Sequence, residues 1–224
     1  KNAGTTCVAL CDVDHNLLKR RAAELEVKTG SKPQLFKDHR DLLKIKELDA
    51  VIIGTPDHWH HIMMTDACAA GKDVYVEKPI ANSIYEADMM VKAARKFKRV
   101  VQVGQWQRSD PHWHSAFEYL NTGALGNIRQ VKAWADVNYG SGFDVVPDSS
   151  APEGVDYDRW LGPASQRPFN KNRYHGTFRY FWDYAGGLMT DWGVHMLDMV
   201  LAGMNATAPK SVVAIGGKLA YPND

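Results

Sequence analysis

Four apolar runs divide the first hundred or so residues of the chain. They are TCVALC (6–11), AVIIGTP (50–56), DVYVEKP (73–79) and RVVQVG (99–104), and the segments between them have helical periodicity. Apolar strands separated by helices of about ten to fifteen residues are typical of parallel β-α-β units. We therefore expect an α/β fold, with a parallel sheet that carries helices on both faces.

The pattern changes after the fourth strand. The segment 112–123 has helical period, 128–140 alternates as a strand with one wet face, and 186–203 is helical again. Pro, Gly, Asn and aromatic residues are frequent between the last two. These changes place a domain boundary near residue 105, with one domain over 1–105 and a smaller α/β domain over 106–224.

Composition and charge narrow the class of protein. The 224 residues include 27 Lys and Arg against 26 Asp and Glu, and a net charge of +1 gives no field that would attract nucleic acid or an anionic membrane. No apolar run approaches the roughly 20 residues that span a bilayer. The three cysteines, Cys7, Cys11 and Cys68, are odd in number and lack CxxC spacing, so we interpret them as small buried apolar residues. We expect neither a nucleic acid nor a membrane as partner.

The chain enters its first strand almost at once. We therefore expect a natural N-terminal segment to precede Lys1. The sequence does not decide the cellular compartment of the protein. We expect the cytoplasm by default, and the periplasm if such a segment carries an export signal.

Polar residues gather where the apolar strands end. In an open parallel sheet, ligands bind beyond the carboxyl ends of the strands. Asp12 follows the first strand and suits the carboxylate that accepts the ribose hydroxyls of an adenine dinucleotide, although an Asp in this place is as often a helix cap. The usual glycine-rich turn lies ~20 residues upstream of such a carboxylate, and only 11 residues precede Asp12.

Three imidazoles crowd the turn after the second apolar run. His58, His60 and His61 follow Pro56, and with Asp57 they offer ligand types for zinc. The alternative is a helix start with exposed rings. Because residues two apart on a helix diverge and no Cys or Glu cluster completes a shell, we predict no metal site.

A third polar group lies near the end of the chain. Asp191, His195 and Asp198 are spaced i, i+4 and i+7, which places them on one stripe of an otherwise apolar helix. A solvated stripe is the alternative. Gly186 and Gly187 allow a close backbone approach just before it, which favours a site. In that site Asp191 raises the basicity of the His195 ring and orients it as a general base.

Four motifs, in this order and at these spacings, resemble the Gfo/Idh/MocA oxidoreductases: GTPDHWH, AGKDVYVEKP, VVQVGQWQRS and GGLMTDWGVHMLD. Members of that family use NAD or NADP on sugars and cyclitols. The resemblance implies an N-terminal Rossmann domain, partial here because its first β-α unit is absent from the chain. It also implies a C-terminal α/β domain, incomplete at its end, whose open sheet serves substrate binding and subunit contacts. A homo-oligomer is expected.

The resemblance also assigns roles to residues. Lys78 matches the lysine that contacts nicotinamide and substrate, with Glu77 steadying its turn and Pro79, a candidate for a cis peptide bond, aiming it. Asp191 and His195 match the acid-base pair. Flat rings between 174 and 192 suit the apolar faces of a pyranose, although most of them are expected in the core or an interface. The full assignment is Asp12, Thr55, Pro56, His58, Trp59, His60, Glu77, Lys78 and Gln105 for the cofactor, and Arg108, Tyr174 and Trp182 for the substrate.

We predict from this an NAD-dependent oxidoreductase that transfers hydride between nicotinamide and a hydroxyl of a sugar, sugar derivative or cyclitol. His195 takes the hydroxyl proton and Lys78 stabilises the developing oxyanion. The Asp12 carboxylate would repel a 2′-phosphate, so NAD is expected over NADP, with Arg20 and Arg21 nearby weakening the case. Two alternatives stay open: an NAD-dependent glycoside hydrolase that acts by transient oxidation and elimination, and a non-catalytic sugar or cofactor sensor.

Overall fold

The computed structural model describes residues 4–135 and 143–217, which contain five short strands and eight α-helices. All five strands lie in the first half of the chain. Its elements are β1 Ala9–Cys11, α1 His15–Thr29, β2 Gln34–Phe36, α2 His39–Leu42, β3 Ala50–Ile53, α3 Asp57–Ala69, β4 Asp73–Val76, α4 Ile84–Phe97 and β5 Val101–Val103. The second half has α5 Pro111–Asn121, α6 Tyr157–Leu161, α7 Gly187–Asp191, α8 Gly193–Gly203, and 3-10 helices at Trp106–Ser109, Lys171–Arg173 and His175–Tyr180.

Every strand pair is parallel, and the predicted α/β fold class is confirmed. β1 pairs with β2, while β3, β4 and β5 form a second sheet in that order. The apolar pattern does not predict β2, because its three residues are mostly exposed. The expectation of one continuous sheet is wrong for the described residues: β1 and β3 are not paired there, and residues of both strands line one large cavity.

Local signals fix the helices that follow the strands. The Asp14 side chain caps α1 by accepting from the backbone N–H groups of Asn16 and Leu17, and α1 ends at Gly30 in the left-handed region. Ser83 and Glu86 form the capping box of α4 that their spacing predicts. These caps set where each helix begins, and so hold the strand-to-helix turns in place.

Two apolar clusters form the interior. The first joins β3, β4, α3 and α4 around Cys68 and Met90, both fully buried. The second, which we call the aromatic cluster, consists of Trp160, Leu161, Phe169, Tyr174, Phe178, Tyr184 and Ala185. Several rings between 174 and 192 are thus core residues, as expected. Cys68 is buried as predicted, but Cys11 is half-buried and Cys7 is exposed, so the same prediction is wrong for Cys7.

The second half of the chain is mostly helix and loop where the structure describes it. The helix predicted over 112–123 is confirmed as α5. The strand predicted over 128–140 is absent from 128–135, where Val131 and Trp134 are exposed and have no paired strand, and 136–140 lie outside the described residues. Over 106–135 and 143–217 only isolated β-bridges occur, so the open sheet is not seen in this part of the chain.

The helix predicted over 186–203 is broken into two. Trp192 separates α7 from α8, with φ −101° and ψ −40°. Its N–H still bonds to the carbonyl of Leu188, and its carbonyl accepts from the N–H of His195, at 2.8 and 3.1 Å. The two helices therefore follow each other directly, with Trp192 as the residue between them. None of the described helices is long and apolar enough to cross a membrane.

Backbone contacts join the second half to the strand ends of the first. The N–H of Asp156 donates to the carbonyl of Val13 at 3.0 Å, and the N–H of His15 donates to the carbonyl of Gly154 at 2.9 Å. The carbonyl of Trp160 lies 3.0 Å from a ring nitrogen of His58. This docking encloses the space beyond β1 and β3.

Candidate active site

Lys78 lies at the carboxyl end of β4. The backbone N–H of Glu77 bonds to the carbonyl of Ile53 in β3, and the Glu77 carboxylate accepts from the N–H of Lys78 at 3.2 Å. The Lys78–Pro79 peptide bond is cis. A side chain at Gly104 would come within 2.8 Å of the Glu77 carboxylate, so this end of β5 leaves room for it. The turn therefore holds the lysine as the sequence suggested.

The Lys78 ammonium crosses to the second half of the chain. Its Nζ donates to the carboxylate of Asp191 at short range, and also to the carbonyl of Asp191 at 3.1 Å. Nε of Arg179 lies 3.2 Å from the other oxygen of the same carboxylate. Asp191 is buried, so two cations compensate one carboxylate in a partly dehydrated place. Such pairing offsets the cost of burying the charge.

His195 lies in the first turn of α8, one turn beyond Asp191. It is buried, its Nδ1 has no hydrogen-bond partner in the described part of the chain, and the edge of the Trp106 ring lies at a centroid distance of 6.1 Å. Burial lowers the pKa of His195, and the charge of Lys78 lowers it further, while Asp191 acts in the opposite direction. The ring is therefore neutral near pH 7 and can accept a proton.

Asp191 and His195 do not form the hydrogen-bonded pair that the sequence predicts. No hydrogen bond joins them among the described residues, because the Asp191 carboxylate is directed to Lys78 and Arg179. The prediction that Asp191 makes His195 more basic than usual is wrong in sum, since burial outweighs the carboxylate.

Arg108 is bound by Asp198. Its Nε lies 2.9 Å from both carboxylate oxygens, and a terminal nitrogen lies 2.6 Å from one of them. This bidentate pair fastens the 3-10 helix Trp106–Ser109 to α8. Both groups have a structural partner, which gives no support to Arg108 as a substrate ligand.

Two of the three imidazoles after β3, those of His58 and His60, are buried instead of exposed. Burial lowers the pKa of His58 to about 4, and its ring bonds to the carbonyl of Trp160, as does the indole N–H of Trp59. The two ring nitrogens of His60 lie 2.7 and 2.9 Å from the carbonyl oxygens of Pro79 and Thr55. Burial lowers the pKa of His60, although these carbonyls act against it. His58 and His60 thus hold the neighbouring turns together, and their assignment to the cofactor stays a prediction.

No group of three or more His, Cys, Asp or Glu side chains arranged to hold a metal ion occurs in residues 4–135 and 143–217. Nε2 of His58 and both ring nitrogens of His60 face backbone carbonyls, which leaves these three atoms unsuited to a metal. The absence of a catalytic metal stays a prediction.

A cavity of about 1270 Å³ extends from the end of β1 to the second half of the chain. Of the residues assigned to the cofactor, Asp12, Thr55, Pro56 and Trp59 line it, whereas His58, His60, Glu77, Lys78 and Gln105 are not among its lining residues. The Thr55 hydroxyl is buried and has no hydrogen-bond partner among the described residues. A cavity of this size with an unsatisfied hydroxyl and a carboxylate at one end fits an adenine dinucleotide.

Asp12 is not the cap of α1, a role that Asp14 has, and its ribose role stays a prediction. One of its carboxylate oxygens accepts from the backbone N–H of Asp14 at 2.8 Å, so it braces the turn before α1. The side chain also lines the large cavity. Burial raises the pKa of Asp12, and the nearby charge of Asp14 adds to this.

Two residues assigned to the substrate lie elsewhere. Tyr174 lines the large cavity, and burial raises its pKa, with the charges of Asp14 and Asp12 adding to this. Trp182 is 87% exposed and lines neither cavity in the described part of the chain. The aromatic pattern did not separate these rings, because a ring in a core, a cavity or a surface patch has the same signature in sequence.

Two charged residues of the site were missed by sequence analysis. Arg179 holds Asp191 and lines both the large cavity and a second one of about 370 Å³. Asp57, the first residue of α3, is buried, and burial together with the charge of Asp191 raises its pKa to about 7 against the effect of Arg179 and Lys78. The sequence signal that could have indicated Arg179 is its position as a cation directly between two aromatic residues, Phe178 and Tyr180. Nothing in the sequence indicated the burial of Asp57.

Comparison with known proteins gives the same family over both halves. Residues 1–105 match the model described as oxidoreductase family, NAD-binding Rossmann fold, and residues 126–217 match the C-terminal alpha/beta domain of that family. Inositol 2-dehydrogenase of Rubrobacter xylanophilus is 30% identical over 162 residues, which are 70% of this chain and 45% of that protein. A glycosyl hydrolase family 109 protein of Shewanella sp. (strain ANA-3) is 38% identical over 100 residues, 43% of this chain and 22% of that protein.

A solved structure supports the same fold. The oxidoreductase domain protein from Kribbella flavida superposes with a TM-score of 0.60 at 24% identity, over 88% of this chain and 44% of that one. The chain spans about half or less of the length of the curated relatives it matches. With family models matched over 1–105 and 126–217, the chain belongs to the Gfo/Idh/MocA family of oxidoreductases and contains residues of its NAD-binding Rossmann domain.

Proposed function

We propose that the protein oxidises a hydroxyl of a sugar, sugar derivative or cyclitol with NAD. One observation carries this proposal: the Lys78 ammonium from the end of β4 and the Asp191 carboxylate, one turn before His195, are in direct contact. An oriented cation and a neutral buried imidazole are thereby brought to one place, beside a cavity that suits a dinucleotide. We keep the domain boundary near residue 105 as part of this proposal, with the site between the two domains.

His195 is the proposed general base. Its pKa lies below the ordinary value, so the ring is neutral at physiological pH and can take the hydroxyl proton. Trp106 packs against the ring and limits water on that side. The nicotinamide, when bound, supplies the acceptor for the hydride.

Lys78 is the proposed stabiliser of the oxyanion that forms as the proton leaves. Asp191 holds the ammonium through its carboxylate and its carbonyl, so the cation is fixed before the reaction begins. Arg179 shares the Asp191 carboxylate, which leaves more of the lysine charge for the substrate oxygen. Asp191 is thus a positioning residue for Lys78 more directly than for His195.

We propose NAD over NADP as the cofactor. Asp12 lines the cavity where the ribose next to adenine is expected, and its carboxylate would repel a 2′-phosphate. Arg21 is paired with Glu24, which lessens the concern raised by that residue, but Lys37 and Arg40 also line the cavity. Titration with NADH and NADPH decides the matter. Tighter binding of NADPH would remove Asp12 from the ribose role.

Glycoside cleavage by transient oxidation and elimination is a second candidate, favoured by the similarity to a glycosyl hydrolase family 109 protein. Incubation of the full-length protein with NAD and a panel of myo-inositol, scyllo-inositol, glucose and nitrophenyl glycosides separates the cases. Net NADH from a free sugar or cyclitol supports the dehydrogenase. Release of nitrophenol without net NADH supports the hydrolase. Cofactor binding with neither product supports a sensor.

We also propose that the protein forms a homo-oligomer. Val212, Val213 and Ile215 are 77–96% exposed in neighbouring positions of the second half of the chain. Contiguous exposed apolar side chains are more typical of an interface than of a solvated surface. Light scattering coupled to gel filtration tests the proposal, and a monomer at micromolar concentration would contradict it.

A further inference from the structure

Tyr174 brings an unsatisfied hydroxyl from the second half of the chain to the large cavity. Its ring packs in the aromatic cluster against Trp160 and Phe169, at centroid distances of 5.5 and 5.3 Å. The residue is only 8% exposed, and its hydroxyl has no hydrogen-bond partner among the described residues. The side chain nevertheless lines the cavity that Asp12 also lines.

A buried hydroxyl without a partner destabilises a protein, because it loses its hydrogen bonds to water and forms none within the protein. Phenylalanine would fill the same space in the aromatic cluster without that cost. The hydroxyl is therefore better explained by a ligand that completes its bonding than by packing. This argument needs no family resemblance, since it follows from burial and the position of the side chain alone.

The charges around Tyr174 determine which kind of group it can bond. Burial and the carboxylates of Asp14 and Asp12 raise its pKa, so the hydroxyl stays protonated and acts as a donor. Asp12, at the same end of the cavity, can only accept when ionised. A group that donates to one side chain and accepts from the other is a sugar hydroxyl, which has both capacities.

The segment that carries Tyr174 is held over this end of the cavity. The ring of the next residue, His175, lies 3.5 Å from the Asp14 carboxylate, and the backbone of Asp156 bonds to Val13 just after Asp12. His175 itself has a φ of 55°, an uncommon conformation for a residue other than glycine. These contacts fix the position of the Tyr174 ring relative to the turn after β1.

We propose that the Tyr174 hydroxyl donates a hydrogen bond to the ribose next to adenine, the same ribose whose hydroxyls donate to Asp12. The inference rests on the proposed NAD-dependent function and extends it. The second half of the chain then contributes to cofactor affinity at the adenosine end, far from Lys78. The ribose would then be bonded to both halves of the chain, to Asp12 in the first and to Tyr174 in the second.

The test removes one oxygen atom. In the full-length protein, Tyr174→Phe should weaken binding of NADH and of ADP-ribose by about 3- to 10-fold, the worth of one hydrogen bond. Binding of reduced nicotinamide mononucleotide, which lacks adenosine, should not change. Fluorescence titration for the reduced nucleotides and calorimetry for ADP-ribose give these constants without any turnover.

A matched control lies in the same aromatic cluster. Tyr184 is fully buried, but it is not among the residues that line the large cavity. Tyr184→Phe should leave the affinity for ADP-ribose unchanged. In the absence of nucleotide, Tyr174→Phe should melt at the wild-type temperature or above it, because it removes a hydroxyl that has no partner.

Each contrary result identifies what has failed. If wild type binds ADP-ribose and Tyr174→Phe binds it equally well, the inference is wrong and the proposed function stands. Equal losses of affinity for Tyr174→Phe and Tyr184→Phe, or a lower melting temperature for nucleotide-free Tyr174→Phe, would assign the hydroxyl to the fold and also overturn the inference. If wild type binds neither NADH nor ADP-ribose, the proposed function fails and the inference with it.

Discussion

The turn after β3 and the turn after β4 look alike in sequence but differ in their contacts. Both follow apolar strands of one parallel sheet, and both end in ionisable side chains. In the turn after β3, His58 and His60 are buried and bonded to backbone carbonyls. In the turn after β4, Lys78 crosses to a carboxylate in the other half of the chain.

The difference lies in the chemistry of the partner. A backbone carbonyl fixes a ring without adding a charge beside it, and burial keeps His58 and His60 neutral near pH 7. His58 and His195 each retain a ring nitrogen without a partner among the described residues, so the difference lies in the neighbouring charges. A carboxylate orients Lys78 close to His195, and in the described part of the chain no such ion pair orients a cation beside His58. Ionisable residues at strand ends can therefore have a structural role or a role in the reaction, and the residues that pack against them decide which.

The largest expected effect belongs to His195. His195→Ala should lower kcat by about 10² to 10⁴, because a positioned base is lost. In the wild type, kcat/KM should rise with pH through the pKa of this ring, which lies below its ordinary value, since only the neutral form accepts a proton. Steady-state kinetics across pH check both points. His61→Ala, from the turn after β3, is the control and should turn over normally.

Lys78→Met should reduce kcat by a factor comparable to that of His195→Ala. Unlike the histidine variant, it should also destabilise the fold, because Lys78 and Asp191 are largely buried. The loss should be smaller than the roughly 3–5 kcal/mol of a fully broken buried pair, since Arg179 still compensates Asp191. Kinetics beside chemical denaturation measure the two effects. Normal turnover in this variant would remove Lys78 from the reaction.

His58 should show its effect in stability and not in turnover. Its folded-state pKa of about 4 lies below the ordinary 6.5, so the unfolded chain binds the proton more readily. The contribution is therefore present above about pH 6.5 and is lost as pH falls towards 4, by at most about 3 kcal/mol. His58→Gln should flatten this part of the stability profile relative to wild type. An unchanged profile would place His58 in a more solvated site.

The smallest expected effect is that of chelation. Activity should survive EDTA, because Nε2 of His58 and both ring nitrogens of His60 face backbone carbonyls. Metal analysis of the purified protein is the accompanying measurement. Stoichiometric zinc, with activity lost on its removal, would show that this turn binds a catalytic metal and does not have only a structural role.

The strands and helices of the first half could be predicted because each carries its own local signal. The capping box at Ser83 and Glu86 and the apolar runs of β1, β3, β4 and β5 are local patterns, and all are found. The short, exposed β2 has no such pattern. The break at Trp192 could not be predicted either, since helical spacing continues through it in sequence.

The site was predictable only where position along a strand decides the outcome. Lys78 is the second residue after β4, so the end of the strand fixes its place. The contacts of Arg179, Arg108 and Tyr174 depend on distant segments of the chain, namely Asp191, Asp198 and the cavity that Asp12 also lines. Such long-range pairings leave no periodic signal, which explains why Arg179 was missed and why the contacts of Arg108 and Tyr174 were not predicted.

The most direct test of the central claim is a crystal structure of the full-length protein with NADH and the substrate identified by the panel. If Lys78 and His195 share one site, the reacting hydroxyl will lie within about 2.6–3.2 Å of both Lys78 Nζ and a His195 ring nitrogen. A substrate hydroxyl that contacts only one of the two, or a substrate bound away from Asp191, would contradict the account.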